Sequence, residues 1–333
     1  MLVILKSHAQ QEAIDHVVER IESLGLKTHI SQGEFKTIIG AIGEESPELQ
    51  EQLATIDGVE RVMPIMKPYK LAGREMRPND SMVQVGDVKI GCGNYAFIAG
   101  PCAVEDFDTC MDTAKIVKKA GANMLRGGAY KPRTSPYAFQ GLGEEGLKIL
   151  KACREETGLP VVTEVTDPRN VDLICEYADM LQIGARNMQN FVLLTEVGKA
   201  GKPVLLKRGA NATVKDWLMS AEYILSNGNE NVVLCERGST GFEPELRFNL
   251  DVGAIALAQI YSHLPIIVDP SHPAGRRDLV RPLCMAGMAA GADGFITEVH
   301  SCPEKALCDG KQALTGKLIA ELIQQVQRFI DHK

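Results

Sequence analysis

The chain has 333 residues, which gives room for one large domain and one small domain. Hydrophobic residues make up 45% of the sequence, a fraction that excludes an intrinsically disordered protein. The net charge of −7 argues against a protein that binds nucleic acids or anionic membranes non-specifically. No apolar run approaches the ~18 residues that span a bilayer, so we expect no membrane segment.

The first residues and the cysteines both predict a cytoplasmic protein. The stretch Met1–Lys6 is too short for a signal peptide and lacks a basic region and a cleavage site. The nine cysteines are an odd number and contain no C-x-x-C pair. We therefore expect reduced thiols rather than a disulfide framework.

Residues 1–66 alternate between strand and helix patterns. The strand-like runs are Leu2–Leu5, Thr28–Ser31, Thr37–Ile42 and Val59–Met66. The first helix has apolar residues at helical spacing and ends at Gly25, whereas the second begins after Ser46 with Pro47 in its first position. The order βαββαβ predicts a small ferredoxin-like domain.

Residues 67–94 form a connection. The part from Lys67 to Asp80 is polar, contains two prolines and predicts a linker. Residues Met82–Ile90 alternate in polarity around Gly86 and Asp87, which predicts a hairpin. We expect this hairpin to plug one end of the domain that follows.

From residue 95 to residue 333 one strand–helix unit repeats eight times. The strand runs are Phe97–Ala99, Met124–Leu125, Val161–Val165, Met180–Ile183, Val204–Leu206, Val232–Leu234, Ile266–Val268 and Phe295–Ile296. Strands that are apolar on both faces and alternate with amphipathic helices indicate a parallel sheet. Eight units in ~240 residues predict an α/β fold of the (β/α)8 TIM-barrel type. The alternative is an open doubly wound sheet, but no glycine-rich dinucleotide turn follows the first strand.

The loop after the second of these strands is basic and conformationally restricted. Three cations fall within eight residues, namely Arg126, Lys131 and Arg133. Gly127 and Gly128 can adopt positive φ and turn the backbone between the cations, whereas Pro132 and Pro136 restrict it. Such a loop suits a small molecule with several negative charges. The alternative is a solvated basic loop.

Residues at the carboxyl ends of barrel strands converge on one site. Six cations follow strand ends here: Arg126, Lys131, Arg133, Arg186, Lys207 and Arg237. So many like charges repel unless anions lie between them, and guanidinium groups match phosphate and carboxylate oxygens. The alternative is that these cations pair with Glu164 and Glu236.

A second group at the strand ends has the chemistry of a metal site. Its members are Cys102, His272, Glu298 and Asp309. Thiolate, imidazole and carboxylate ligands suit a divalent ion of the Mn, Fe, Co or Zn type. Glu298 and His300 share one face of the last strand, so either could be its ligand. For Cys102 the alternative is a buried structural cysteine.

Seven motifs, in order along the chain, resemble those of the 3-deoxy-D-arabino-heptulosonate 7-phosphate (DAHP) synthase family. They are Gly100–Cys102, Leu125–Pro136, Gln182–Asn187, Leu206–Gly209, Leu234–Gly238, Val268–His272 and Glu298–His300. The resemblance covers nearly the whole chain and favours the type Iβ branch, which has an N-terminal ferredoxin-like regulatory domain. It implies a regulatory domain over residues 1–66, a linker and barrel-capping hairpin over 67–94 and a catalytic barrel over 95–333.

The resemblance also implies the reaction and its residues. Phosphoenolpyruvate condenses with erythrose 4-phosphate in the first step of the shikimate pathway, with a divalent metal bound by Cys102, His272, Glu298 and Asp309. The residues around the phosphoenolpyruvate carboxylate are Arg126, Lys131 and Lys207, and those around its phosphate are Arg186, Arg237 and the Ala185 backbone. Arg133 and Thr134 resemble the site for the erythrose phosphate, and Glu164 resembles a carboxylate that reaches the phosphate through water.

The catalytic candidates are Lys131, His272 and Cys102. Either Lys131 or His272 can act as the general acid, and the metal together with Lys131 is the preferred hypothesis. One alternative is 3-deoxy-octulosonate 8-phosphate synthase, which uses arabinose 5-phosphate and has Ala-Asn where this chain has Pro132-Arg133. Two others are a Schiff-base aldolase that uses Lys131 or Lys207 and a non-catalytic sensor.

Further expectations concern regulation, assembly and the thiols. The resemblance implies feedback inhibition by tyrosine or phenylalanine, bound between paired small domains, and a homotetramer. His29 and Ser31 share one strand face and are candidate effector contacts, with a solvated edge strand as the alternative. Without metal, we expect Cys102 to oxidise and to bridge to Cys302 or Cys308.

Overall fold

The computed structural model describes residues 1–7, 9–32, 36–43, 46–64, 68–74, 77–133 and 135–332. Within these ranges, the side chains of residues 29, 31 and 42 lie outside the description. The chain divides into two compact units, Met1–Pro68 and Tyr69–Lys333. None of the helices that the structure describes combines the length and the apolar character needed to cross a bilayer.

The first unit is a four-stranded antiparallel sheet with two helices. Its elements are β1 (Leu2–Leu5), α1 (Gln11–Ser23), β2 (Lys27–Gln32), β3 (Thr37–Ile42), α2 (Pro47–Ala54) and β4 (Val59–Met63). The strand order β2-β3-β1-β4 is that of a ferredoxin-like fold, as the sequence predicts. Helix α2 begins at Pro47, and the Ser46 hydroxyl accepts a hydrogen bond from the Leu49 amide at 3.1 Å.

The core of the first unit lies between the sheet and its helices. Val3 and Leu5 of β1 and Val17 and Ile21 of α1 are fully buried in it. Alternate residues of a strand and every third or fourth residue of a helix therefore form this core, which explains why the pattern was visible in the sequence.

The second unit contains a hairpin and a barrel. Its strands are β5 (Val83–Val85), β6 (Val88–Ile90), β7 (Ala96–Gly100), β8 (Met124–Arg126), β9 (Val161–Glu164), β10 (Met180–Ile183), β11 (Val204–Lys207), β12 (Val232–Glu236), β13 (Ile266–Val268) and β14 (Gly294–Glu298). Its helices are α3 (Phe107–Ala120), α4 (Glu144–Thr157), α5 (Val171–Tyr177), α6 (Phe191–Lys199), α7 (Val214–Ser226), α8 (Val252–Tyr261), α9 (Ser271–Ala274), α10 (Arg277–Ala289) and α11 (Gly316–Asp331).

Strands β7 to β14 form a closed parallel barrel in chain order. The barrel closes between β14 and β7, where five residue pairs run from Gly294–Ala96 to Glu298–Gly100. The predicted TIM barrel is thus confirmed, and the open doubly wound sheet is wrong because the first and last strands pair. Helix α3 ends at Gly121 with φ of 99°, and α4 ends at Gly158 with φ of 69°, where glycine accepts the left-handed conformation.

The hairpin β5–β6 turns at Gly86 and Asp87. Val83, Val85 and Ile90 of this hairpin are fully buried. They pack with apolar side chains that point into the barrel. Among these are residues near the start of strands, such as Ala96 and Met180. The hairpin therefore closes the amino-terminal end of the barrel.

The segment before the hairpin is held against the outside of the barrel. The Glu222 carboxylate on α7 accepts three backbone hydrogen bonds, from Lys70, Leu71 and Ala72, each 2.9 Å long. The buried His263 ring lies 2.7 Å from both the Ser81 hydroxyl and the Leu71 carbonyl oxygen. Backbone groups and the Ser81 hydroxyl of this segment therefore bind the barrel, whereas several of its polar side chains are exposed.

Candidate active site

A cavity of about 310 Å3 lies at the carboxyl ends of the barrel strands. Lys131, Arg237 and His272, which are far apart in the sequence, all line it. All six of the cations singled out from the sequence line it as well: Arg126, Lys131, Arg133, Arg186, Lys207 and Arg237. Three more sequence candidates lie on its wall, namely Glu164, Ala185 and Asp309.

The barrel itself brings these cations together. Arg126 and Lys207 are the last residues of β8 and β11, and Arg237 directly follows β12. Arg186 lies in a single 3-10 turn, Ala185–Asn187, that follows β10. Because parallel strands end on the same rim, side chains from four strands reach one space.

Two of the cations have carboxylate partners. Arg126 Nη1 lies 3.1 Å from Glu298 Oε1, and the Lys207 ammonium donates to Asp269. Burial acts to lower the pKa of Arg126, but the combined effect of Glu298, Cys102 and Asp269 raises it above its ordinary value. The Nε of Arg126 is buried and has no hydrogen-bond partner among the residues that the structure describes. Such an orphaned donor is costly unless a ligand satisfies it.

Arg186 and Arg237 form no ion pair with a carboxylate in the described part of the chain. Arg237 is 7% exposed and stacks on Phe248, with its guanidinium carbon 4.4 Å from the ring centroid. Burial lowers the pKa of Arg237. A desolvated guanidinium without a counter-ion is unfavourable by itself and becomes favourable when an anion binds.

The alternative pairs the cations with Glu164 and Glu236, but neither glutamate forms an ion pair with Arg186 or Arg237 among the described residues. Glu236 pairs with Arg208 at 3.0 Å, and Arg208 also pairs with Asp251 at 2.9 Å. Glu164 accepts a hydrogen bond from the Gln182 amide at 3.4 Å. The interpretation of the cations as locally paired is therefore wrong for Arg186 and Arg237, because the carboxylates near them are used elsewhere.

Lys131 lies across the end of β7. Its Nζ donates to the Cys102 carbonyl oxygen at 3.0 Å and lies 3.3 Å from Cys102 Sγ. Burial acts to lower the pKa of Lys131, but the neighbouring Cys102 sulfur and the Glu164 carboxylate help to raise it above its ordinary value. The raised pKa favours the ammonium form, which can donate a proton.

The four candidate metal ligands lie next to one another. One donor group contains Cys102, Cys308 and Asp309, the other contains His272, Glu298 and Asp309, and the donor atoms within each group lie within 4.8 Å of one another. Asp309 belongs to both groups. Two sulfurs, one imidazole and two carboxylates are a donor set that fits a divalent transition-metal ion.

Glu298, and not His300, is the residue of the last strand that faces these donors. Its Oε1 lies 3.7 Å from His272 Nε2. The His300 ring points away, with its Nε2 3.4 Å from the Glu105 carboxylate and its Nδ1 accepting from the Cys302 amide. The two residues share a strand face, but the backbone leaves the strand after Glu298 and turns the imidazole aside.

Cys308, and not Cys302, is the thiol beside Cys102. The two sulfurs of Cys102 and Cys308 are 3.1 Å apart, whereas the Cys302 sulfur faces Glu304. A hydrogen bond from Cys102, together with the charge of Lys131, lowers the pKa of Cys308 to about 7, although burial opposes this. None of the nine cysteines forms a disulfide.

Three residues that the structure places at the site have no role assigned from the sequence. Asp269 follows β13; it accepts from Lys207, and its Oδ2 lies 2.7 Å from His272 Nδ1. Its position at a strand end was visible, but its role was not. Arg247 lines the cavity from the long loop between β12 and α8, and Gln312 reaches Glu298 from the loop before α11. No strand-end pattern marks either residue.

The glycines of the site provide space. Gly127 and Gly128 do not adopt positive φ, so the expected role in turning the chain is wrong. A Cβ on Gly128 would instead lie 2.7 Å from Lys131 Cδ and 2.8 Å from the Cys102 carbonyl oxygen. A Cβ on Gly184 would lie 1.9 Å from Glu164 Oε1. Both glycines let a functional side chain lie close to the backbone.

Three sequence candidates cannot be placed. Thr134, proposed for a phosphate site, lies outside the described residues. The backbone of His29 and Ser31 belongs to β2, at one edge of the small sheet, but their side chains lie outside the description.

Comparison with known families covers both units. Residues 70–331 match the DAHP synthetase I family, and residues 1–67 match the DAHP synthase ferredoxin-like domain. A curated relative, phospho-2-dehydro-3-deoxyheptonate aldolase of Thermotoga maritima, is 50% identical over 331 residues, which is 99% of this chain and 98% of the relative. A 2-dehydro-3-deoxyphosphooctonate aldolase of Desulfatibacillum aliphaticivorans is 34% identical over 72% of this chain and 94% of its own length.

Solved structures agree with these matches. The crystal structure of the Thermotoga maritima phospho-2-dehydro-3-deoxyheptonate aldolase superposes with a TM-score of 0.93 at 49% identity, covering 99% of this chain and 97% of that chain. A truncated form of 3-deoxy-D-arabino-heptulosonate 7-phosphate synthase from the same organism gives a TM-score of 0.74 at 48% identity, covering 79% of this chain and 97% of that one.

Proposed function

This chain belongs to the DAHP synthetase I family, and from that membership we propose that its barrel condenses phosphoenolpyruvate with erythrose 4-phosphate to give DAHP and phosphate. The predicted family and the predicted class of enzyme are confirmed by the match over 99% of the chain. The observation that carries the proposed reaction is the single cavity that contains six predicted cations beside a metal-donor cluster. The two substrates bring about five negative charges at neutral pH.

The cations divide between the charged groups of the substrates. Arg186 and Arg237 lack carboxylate partners among the described residues, and we assign them, with the Ala185 backbone amide, to the phosphate of phosphoenolpyruvate. Arg126 and Lys207 are held in fixed positions by Glu298 and Asp269, and we assign them with Lys131 to the carboxylate. Arg133 and Thr134 are assigned to the phosphate of erythrose 4-phosphate, and Glu164 to a contact through water.

Cys102, His272, Glu298 and Asp309 would hold a divalent ion of the Mn, Fe, Co or Zn type. Such an ion, when bound, polarises a carbonyl oxygen or activates water. Asp269 lies 2.7 Å from His272 Nδ1 and so leaves His272 Nε2 to face the other donors.

Lys131 supplies the proton in the proposed reaction. C3 of phosphoenolpyruvate forms a bond with the aldehyde carbon, and the aldehyde oxygen takes the proton from the Lys131 ammonium group. Water then adds at C2 and one of its protons returns to Lys131. The bond from C2 to the phosphate oxygen breaks as the second proton passes to the departing phosphate, which leaves a carbonyl group at C2. Arg186 and Arg237 stabilise the charge on the departing phosphate.

The alternatives explain fewer of these observations. A Schiff-base aldolase requires a neutral lysine, but the pKa of Lys131 is raised and Lys207 is ion-paired with Asp269. An octulosonate 8-phosphate synthase is favoured only by the weaker barrel match, at 34% identity. A non-catalytic sensor does not account for desolvated cations and grouped metal donors in one cavity.

An assay of phosphoenolpyruvate consumption tests the reaction. We expect rapid consumption with erythrose 4-phosphate, little with arabinose 5-phosphate, loss of activity after chelation and recovery on adding Mn2+. Preference for arabinose 5-phosphate would favour the octulosonate enzyme. Full activity of chelated, metal-free protein would exclude the metal, and trapping of substrate by borohydride would support the Schiff base.

We also propose the remaining roles of the chain from the family branch. Residues 1–66 are the regulatory domain that binds tyrosine or phenylalanine, with His29 and Ser31 as candidate contacts. Residues 67–94 form the linker and the hairpin that caps the barrel. Residues 95–333 form the catalytic barrel. The assembly is a homotetramer, and nine free cysteines favour a reducing, cytoplasmic setting. A thermal shift with either amino acid in the full chain, absent from a chain that starts at Met82, is the expected result.

The close thiols give a second, independent expectation. We propose that metal-free protein loses two free thiols in air as Cys102 and Cys308 join, because their sulfurs are 3.1 Å apart. Thiol counting in wild type and in Cys302→Ser checks this. If the number of free thiols in metal-free protein does not change in air, the proposed bridge is wrong. If Cys302→Ser still loses two free thiols, Cys308 is the partner of Cys102.

A further inference from the structure

Gln312 is a buried side chain between two of the proposed metal ligands. It is 2% exposed, and its Nε2 donates to Glu298 Oε2 at 2.6 Å. It lies on the loop before α11, three residues after Asp309. We propose that Gln312 is a positioning residue that fixes which carboxylate oxygens of Glu298 and Asp309 face the metal. This inference rests on the proposed function.

The two oxygens of Glu298 have different neighbours. Oε2 accepts from Gln312, whereas Oε1 lies 3.1 Å from Arg126 Nη1 and 3.7 Å from His272 Nε2. The amide therefore holds the oxygen that faces away from the histidine. A free carboxylate can rotate and present both oxygens, but this one is restricted to a single oxygen toward the donor group.

Asp309 is arranged in the same way. Its Oδ1 lies 3.4 Å from Arg247 Nη1, and its Oδ2 lies 3.5 Å from Cys102 Sγ. The same Arg247 nitrogen donates to Gln312 Oε1 at 3.4 Å. Gln312 thus connects the two carboxylates, directly at Glu298 and through Arg247 at Asp309.

The backbone around Asp309 makes this connection important. Asp309 has φ of 53°, a left-handed conformation that residues with a Cβ rarely adopt. The backbone N–H of Gln312 donates to the Asp309 carbonyl oxygen at 3.1 Å, and the backbone N–H of Leu314 donates to the Glu298 carbonyl oxygen at 2.8 Å. The first bond closes a turn at Asp309, the second ties the loop to the end of β14, and the Gln312 side chain adds a further link to that strand.

Glutamine has the chemistry that this position requires. Its amide donates to one group and accepts from another without adding charge to a site that already holds two carboxylates and several cations. Methionine has a similar length and no amide, so Gln312→Met removes both contacts and leaves the volume nearly unchanged. Gln312→Glu would place a third carboxylate against Glu298.

Metal affinity is the readout that separates positioning from simple packing. Metal-free protein is titrated with Mn2+ by calorimetry, and the visible spectrum of the Co2+ form is recorded as a signature of ligand geometry. We expect Gln312→Met to lower Mn2+ affinity ~10–100-fold, as loss of a group that orients a metal ligand does, and to alter the Co2+ spectrum. Activity at saturating Mn2+ should recover toward that of wild type.

The matched control is Gln327→Met on α11. Gln327 also donates from its amide to a carboxylate, Asp331, at 2.9 Å, but that pair is exposed. We expect no change in Mn2+ affinity or in the Co2+ spectrum. If Gln312→Met does not fold, Gln312→Asn replaces it, because the amide is retained but is too short to reach Glu298 from the same backbone.

The outcomes are distinct. Mn2+ affinity within twofold of wild type and an unchanged Co2+ spectrum in a folded Gln312 variant would overturn the positioning role and leave the proposed reaction intact. Failure of the wild-type protein to bind Mn2+, Co2+, Zn2+ or Fe2+ would overturn the metal in the proposed function, and the role of Gln312 with it.

Discussion

At the amino-terminal end of the barrel, the β5–β6 hairpin packs Val83, Val85 and Ile90 among apolar side chains and leaves them no solvent exposure. At the carboxyl-terminal end, arginines and lysines from several strands surround a cavity, and some lack a counter-ion among the described residues. One end is therefore packed for stability, whereas the other retains unfavourable charge that a ligand can relieve. If this comparison holds, substitutions at the amino-terminal end should lower stability, whereas substitutions at the carboxyl-terminal end should lower kcat/KM.

The largest effect is expected from Arg237→Met. Loss of this buried guanidinium should lower kcat/KM by ~10²–10³-fold, as removal of one fixed group that stabilises charge does. The melting temperature should stay the same or rise, because a desolvated, unpaired charge is removed. Steady-state kinetics and thermal unfolding, followed by the fluorescence of the single tryptophan, Trp217, measure both.

The control is Arg328→Met on α11, which should change neither quantity. A marked loss of stability in Arg237→Met would show that Arg237 supports the fold, and the comparison between the two ends would then fail at this residue.

Next in size is Ile90→Ala in the hairpin. Ile90 has no exposed surface, so the cavity left behind should lower the free energy of unfolding by about 2–5 kcal/mol. The kcat/KM of the molecules that remain folded should be unchanged, since the hairpin closes the end opposite the cavity. Lys89→Ala, at an exposed neighbour on the same strand, is the matched control. A large change in kcat/KM with normal stability would contradict the division.

Gly184→Ala changes the rim without removing any charge. The new Cβ would lie 1.9 Å from Glu164 Oε1, so the carboxylate must move. The φ of Gly184 is −68°, which alanine adopts readily, and the effect is therefore confined to the contact. We expect kcat/KM to fall ~10–100-fold, a cost typical of a misplaced group. Gly158→Ala, with open space around its Cβ, controls for general glycine effects; it should reduce stability and leave catalysis unchanged.

The smallest effect concerns pH and His263. Burial, with a further contribution from Arg74 and Arg77, lowers the pKa of His263 below 6.5, although the Leu71 carbonyl and Glu230 oppose this. The unfolded chain therefore binds a proton more readily than the folded chain, and this contribution to stability is complete above pH 6.5 and is lost as the pH falls below it. His263→Gln should flatten the pH dependence of the melting temperature between pH 7.5 and pH 5, whereas His16→Gln, at an exposed position, should not. An unchanged profile in His263→Gln would contradict the assignment.

The strand ends were predictable from the sequence because barrel geometry alone brings them together. Once eight strand–helix repeats were recognised, Arg186 and His272 had to share a rim, although 86 positions separate them. The candidate metal donors Cys102 and Asp309 could be proposed because they lie in the loops after the first and the last of these strands.

What escaped prediction lies in loops or depends on side-chain direction. Arg247 and Gln312 follow no strand, and only the folded path of their loops brings them to the site. Glu298 and His300 are equivalent in strand periodicity, and the bend of the backbone after Glu298 decides between them. The sequence predicts Gly128 as a turn residue, but the close approach of Lys131 is what requires a glycine there, and such a contact leaves no local sequence pattern.

The hairpin that closes the amino-terminal end of the barrel limits how small molecules reach the cavity. Because that end is closed, molecules enter and leave at the rim formed by the carboxyl ends of the strands. On that rim, Arg126 and Lys207 are buried, at 4% and 3% exposure, and Arg133 is more open to solvent. A molecule bound at Arg133 would therefore lie nearer to solvent than one bound at Arg126 and Lys207.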